Sequence, residues 1–158
     1  MMRWRLPLTV LVASLPLPGL AADPGPVTVP SKHSAEQTIE RFEAAIKANS
    51  GQGWMVFTEI NHSAAATQEG LRLPPTTVIV FGNPRLGTPV MQETPTLAID
   101  LPLKALVWQD DQGKVWLSYN SGEYVQNSIS PRHGLAPNPA AAKAFDEFIK
   151  RVAEQATE

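Results

Sequence analysis

Cysteine is absent from all 158 residues, so the chain has no disulfide, no thiol nucleophile and no thiolate metal site. Stability must come from packing. Basic clusters are scarce as well: Lys and Arg are scattered singly, with Lys150-Arg151 the one adjacent pair after the N-terminal region. No basic stripe is interleaved with aromatics, which removes nucleic acid as an expected partner. The chain also lacks a long unbroken apolar run. Its most apolar stretch, LPLTVLVASLPLPGL, is interrupted by Pro7, Pro16 and Pro18, whereas a spanning helix needs about 20 apolar residues. There is no Gly-Lys-Ser/Thr phosphate loop, no Gly-x-Ser-x-Gly nucleophile elbow around Ser63, Ser118 or Ser121, and no internal repeat.

That stretch follows MMRWR and ends at Ala21-Ala22. Positive residues, a short apolar run and small residues form a secretory signal peptide over 1–22, with cleavage near Ala22. The expected location is therefore periplasmic or secreted, without a stable membrane span after cleavage; an uncleaved N-terminal anchor is the alternative. Cleavage leaves 136 residues, the size of one domain with one core. Without Arg3 and Arg5 the basic count falls from 13 to 11 against 15 acids, a formal charge of about −4.

The segment DPGPVTVP, Asp23 to Pro30, holds three prolines and a glycine in eight residues, and the spacing predicts an extended tether over 23–33. His33, in this segment, is expected in solvent. A single domain over 34–158 follows. Ser34 with Gln37 forms a capping box ahead of Ile39, Phe42 and Ile46 at helical spacing, and Asn49-Ser50-Gly51 stops the helix. Trp54 to Ile60 reads as a strand, Asn61 or Ser63 as the cap of a short helix ending at Gly70, and Thr76 to Phe81 as a second strand. Gly82-Asn83-Pro84 turns the chain. Thr88-Pro89 and Thr94-Pro95 each resemble a helix start. Lys104 to Gln109 and Lys114 to Asn120 form a hairpin around Asp110-Asp111-Gln112-Gly113. Asn138-Pro139 opens a last helix, 138–156, with Ala141, Ala144, Phe145, Phe148 and Val152 on its apolar face. The result is an α+β, two-layer domain: about four strands in a mostly antiparallel or mixed sheet, packed by three or four helices.

The candidate ligand-binding residues are Glu59, His62, Asn83, Asp100, Tyr119 and His133. His62 ends the strand that carries Glu59, where a histidine and a carboxylate could do acid/base work. A surface role beside the short helix is the simpler expectation for it. His62 and His133, with Glu59 or Asp100, have the ligand types of a zinc or copper site, though 71 residues separate the histidines. No metal and no cofactor is assigned. Asn83 is expected to bond its own turn and Gly87 to reverse the chain closely; Arg85 could still attract an acidic ligand there. Asp100, Tyr119 and Asn120 lie at element ends, where such groups usually satisfy nearby backbone. Trp54, Trp108 and Trp116 are expected in the core, and Trp4 leaves with the signal.

Six short marks coincide: Glu59-Ile60-Asn61-His62, Phe81-Gly82-Asn83-Pro84, Gly87-Thr88-Pro89, Leu101-Pro102, Val107-Trp108 and Tyr119-Asn120. On these, residues from Ile39 to Leu135 resemble the bacterial family known as domain of unknown function 302. The resemblance implies a compact α+β fold, is compatible with a homodimer, and carries no catalytic residues to transfer. The proline-tethered N-terminus and the C-terminal helix depart from a generic member. Three functions follow as expectations. The leading one is a periplasmic small-ligand-binding or accessory module. The alternatives are a hydrolytic or acid/base enzyme using His62 with Glu59 or Asp100, and an oligomeric structural or interaction domain.

Overall fold

The structure, a computed structural model, describes residues 25–158. The signal peptide read over 1–22, and the first two residues of the tether, lie outside the described residues. Five strands form one antiparallel sheet: β1 (Val27–Pro30), β2 (Met55–Asn61), β3 (Thr76–Gly82), β4 (Leu103–Gln109) and β5 (Val115–Tyr119), in the order β1-β5-β4-β3-β2. The α+β expectation holds, with one strand more than expected. The added strand is β1, in the segment read as a tether, and it corrects the domain's start from Ser34 to Val27. Proline misled that reading. Pro30 has no N–H to give, but it lies on an edge strand, where a missing donor is tolerated. Val27 and Val29 alternate along β1, and Thr28 Oγ1 meets Ser118 Oγ at 2.8 Å.

Helix α1 (Ala35–Ala48) begins at the capping box, with the Gln37 N–H donating to Ser34 Oγ at 3.2 Å and the Ser34 N–H to Gln37 Oε1 at 3.2 Å. Helix α6 (Pro139–Thr157) is capped by Asn138, whose Oδ1 accepts from the Ala141 N–H at 3.0 Å. These two helices pack together on one face of the sheet. Period-two alternation aims Ile79, Phe81, Val107 and Leu117 at Phe42, Ile46, Ile149 and Val152, all of them fully buried. The Phe42 and Phe81 rings meet edge to face at 5.3 Å, and Trp54 stacks on Phe148 at 4.0 Å.

The opposite face carries Leu106, Trp108, Trp116 and Ser118. Trp108 and Trp116, expected in the core, are half-buried here and stack at 6.0 Å, with Trp108 Nε1 donating to Ser118 Oγ. The hairpin turn is as expected: Gly113 has φ of 80°, and Asp110 Oδ1 accepts from the Gln112 and Lys114 amides. The Trp116 indole N–H first, then those amides and the Lys114 charge, hold the Asp110 carboxyl below the usual range. His33, expected in solvent, is half-buried, and its Nε2 is sealed from water without a partner. Asn61 Oδ1, accepting from the Ala64 N–H at 2.8 Å, caps α2 (His62–Gln68).

Two helix starts are corrected. Helix α3 (Pro84–Glu93) begins five residues before Pro89, capped by Asn83, so Thr88 and Pro89 lie inside it and Gly87 is a helical residue rather than a chain reversal. Thr94-Pro95 opens a 3-10 turn, Pro95–Ile99, with no side-chain cap. After β5 the chain winds through α4 (Gly122–Tyr124), a wide π turn (Val125–Ile129) and α5 (Ser130–Arg132). Gly122 is required there, because a Cβ would run into the Ala142 carbonyl of α6.

Candidate functional site

Antiparallel pairing brings the start of β2, the end of β3 and the start of β4 to one end of the sheet. Helix α3 leaves from there, the 3-10 turn returns to β4, and the α4–α5 stretch and the start of α6 face them. Pro84, Pro95 and Pro139 each stand at the first position of a helical segment here, where the missing N–H costs nothing. Between these segments lies a cleft of about 810 Å³. One wall carries Leu86, Val90, Met91, Leu97 and Leu101; the other carries Val125, Ile129, Leu135 and Ala141; Trp54, Phe57 and Phe145 line it as well. This volume is within the roughly 300–1,000 Å³ of small-molecule sites. A smaller hollow of about 130 Å³ adjoins it and is bordered by Asp100, Lys104, Asn120 and Tyr124.

Polar side chains hold the walls in place. Asn83 Oδ1 accepts from the Arg85 N–H at 3.0 Å, while Asn83 Nδ2 donates to the Gln52 carbonyl at 3.0 Å and Arg85 Nη1 to the Gly51 carbonyl at 3.1 Å. Gly53, at φ of 96°, lies beneath: a Cβ there would be 2.7 Å from Asn83 Oδ1. The expectation that Asn83 bonds its own turn is met, and the loop before β2 is tied in the same way.

A second tie spans the two walls. His133 Nε2 is 2.6 Å from Asp100 Oδ2, His133 Nδ1 is 3.0 Å from Thr96 Oγ1, and Arg132 Nη1 is 3.1 Å from Asp100 Oδ1. The His133 side chain is 6% exposed and Asp100 17%. With Nε2–H donating to Asp100, Nδ1 is free to accept the Thr96 hydroxyl, so a neutral imidazole is saturated. Hydroxyl, imidazole and carboxylate stand in the order of a nucleophilic relay. Thr96, however, stands outside the lining of the cleft. The arrangement is a latch joining the turn 95–100 to residues 132–133.

The six candidates do not converge. Asp100 and His133 meet, and Asn83 lies on the cleft. His62 is exposed at the far end of β2, across the sheet from Asp100 and His133, so the register separates the two histidines. Among the described residues no group of three His, Cys, Asp or Glu is placed to hold a metal ion. Glu59 instead meets Glu43 of α1: burial first, then the Glu59 hydrogen bond and charge, hold the Glu43 carboxyl above its ordinary 4.5. Tyr119 is buried between β1 and β4. Burial, followed by the charges of Asp146 and Glu154, pushes its phenol up. Thr96, Arg132 and the aliphatic lining of the cleft were missed. Leu86 lies in a segment read as a turn, Leu97 follows the Thr94-Pro95 pair read as a helix start, and Val125 lies in a stretch without a reading; no short-range pattern marks residues that come together around a cleft.

Comparison with known proteins follows the same division between fold and function. The chain is 47% identical over 113 residues to proteins named fluoride-specific ion channel FluC 1 in Brucella suis and Brucella abortus, and FluC 2 in Brucella melitensis. The match covers 72% of this chain and 39–42% of theirs, so the chain spans about two fifths of the relatives' length. Among the described residues no helix is long and apolar enough to cross a membrane. The crystal structure of an uncharacterized conserved protein DUF302 from Bacillus stearothermophilus shares the fold, with a TM-score of 0.66 at 20% identity over 83% of this chain and 97% of that one. The profile of domain of unknown function DUF302 matches residues 27–156, from the first residue of β1 to the penultimate residue of α6, and the chain belongs to that family.

Proposed function

We propose that this chain is a small-ligand-binding module, and that its site is the apolar cleft between α3 and the α4–α5 stretch. The observation that carries this reading is the cleft itself: about 810 Å³ of space lined mainly by aliphatic and aromatic side chains. Phe57 and Leu86, which line it, are 46% and 64% exposed, an unfavourable display for side chains that nothing covers. The latch has the role of a positioning element, setting the distance between the walls. The signal-like N-terminus supports export, so the proposed compartment is the periplasm.

A neutral fluorescent probe, N-phenyl-1-naphthylamine, tests the site. It should bind the purified protein saturably, and Ala141→Trp should abolish binding without lowering the melting temperature, because Ala141 lines the cleft from an exposed position. Equal binding by Ala141→Trp, or none by the parent, overturns the reading. Export is tested by osmotic-shock fractionation with N-terminal sequencing of the released protein. A first residue of Asp23 supports it, and retention in the spheroplast removes it.

A second reading rests on the relatives, in which the matched part accounts for under half of proteins named as fluoride channels. Here the domain acts as an accessory module to an ion channel. Saturable fluoride binding by the purified protein, read by fluorine NMR, favours it; its absence returns the weight to the apolar cleft.

A further inference from the structure

Charge is missing from the cleft. None of its lining side chains is a Lys, Arg, Asp, Glu or His. Five are amides or hydroxyls, and four of those are already engaged: Asn83 with Gln52 and Arg85, Gln126 Oε1 with the Asn138 N–H at 2.9 Å, Asn138 Oδ1 with Ala141, and Ser130 Oγ with the Val125 carbonyl at 3.1 Å. A charged or strongly polar group entering here would give up its water and meet few partners, chiefly the side-chain N–H groups of Gln126 and Asn138, which would offset only part of that cost. The two walls are mainly aliphatic, supplied by Leu, Val, Ile and Met, and the cleft is partly open to solvent. Flexible aliphatic side chains conform to a flexible guest better than to a rigid polar one.

Resting on the binding reading above, we infer that the ligand is a free amphiphile whose neutral hydrocarbon chain fills the cleft while its polar head stays in water where the cleft is open. The affinity is then set by chain length and scarcely by the head. Each methylene buried should tighten binding about fourfold until the cleft is full. Exchanging a terminal hydroxyl for a carboxylate should change affinity by less than about threefold, since a group left in water loses none of its hydration.

The test is a displacement titration with straight-chain alcohols and fatty acids of rising length, each below its micelle concentration, on the parent and on Ala141→Trp. A stepwise rise with length in both series, lost in Ala141→Trp, supports the inference. Compact aromatics such as naphthalene binding through an Ala141-sensitive site, without any length dependence among the alcohols, overturn the hydrocarbon chain and leave the cleft standing as a site. A preference well above tenfold for the acids or for the alcohols overturns the exposed head. Binding to phosphatidylcholine vesicles by flotation, with no binding of monomeric chains, overturns the free amphiphile in favour of a membrane surface. No binding of any probe removes the underlying cleft reading as well.

Discussion

The helix-packed face of the sheet and the cleft at its end are built from the same kinds of side chain, and they differ in what meets them. On the face, α1 and α6 lie on a continuous apolar plane, so Phe42, Ile46, Ile79, Leu117 and Ile149 fill one another's gaps and lose all contact with water. At the sheet's end there is no plane. Short segments punctuated by proline arch over it, and hydrogen bonds at Asn83, Asp100, His133 and Asn138 fix them in place. An aliphatic side chain belongs to the core when a partner surface reaches it, and to a binding site when the surrounding segments are fixed without filling the space beside it.

If this contrast is right, substitutions in the two regions should separate stability from binding. The largest loss is expected for Phe42→Ala, which empties the centre of the filled region and should cost about 3–5 kcal/mol in urea unfolding while leaving the cleft walls in place. His133→Ala comes next. It strips Asp100 and Thr96 of their shared partner, with an expected loss of about 1–3 kcal/mol and faster release of a bound apolar probe in stopped flow. His133→Asn, which can keep one of the two bonds, should recover part of both.

A smaller effect is expected at the opposite edge, where Glu43 and Glu59 meet. The raised carboxyl of Glu43 binds its proton more tightly in the folded chain than in the unfolded one, so its contribution is most favourable at low pH and is lost as pH rises through the folded value, above 4.5. Glu43→Gln should therefore stabilise the protein at pH 7 by a few tenths of a kcal/mol, a figure kept small by the solvent around the pair. The gain should vanish near pH 4. Leu86→Ala should change stability least, by under about 0.5 kcal/mol, since the side chain is already 64% exposed, and yet it should weaken probe binding severalfold. Equal stability losses at Leu86 and Phe42 would erase the distinction between the two regions.

Much of the fold was legible because its signals are local. The Ser34 capping box, the Asp110 to Gly113 turn and the Asn138 cap act within a few residues of themselves, and each lies where the pattern placed it. Helix α3 was misplaced by a few residues because Asn83-Pro84 and Thr88-Pro89 offer the same cap-and-proline signature, and the ties from Asn83 to Gln52 and from Arg85 to Gly51 chose between them. Strand β1 was misread because its composition resembles a linker; its order comes from β5, almost ninety residues away. Among the site residues, Asp100 was chosen for lying at an element end and His133 as a loop histidine; the two appeared together only as ligand types for a metal with His62, without any sign that they touch.

The sequence alone determined the kinds of chemistry open to this chain. It has no thiols, no phosphate loop, no serine elbow and no basic stripe, but it does have an alternating sheet and two amphipathic helices whose apolar stripes demand a two-layer fold. These are matters of composition and short-range periodicity. The tertiary structure alone decided that Asp100 would meet His133, that Glu59 would meet Glu43 rather than His62, and that Leu86 and Val125 would line one cleft. Those outcomes depend on sheet register and on how far short segments can arch over the sheet's end, distances that no local pattern of residues records.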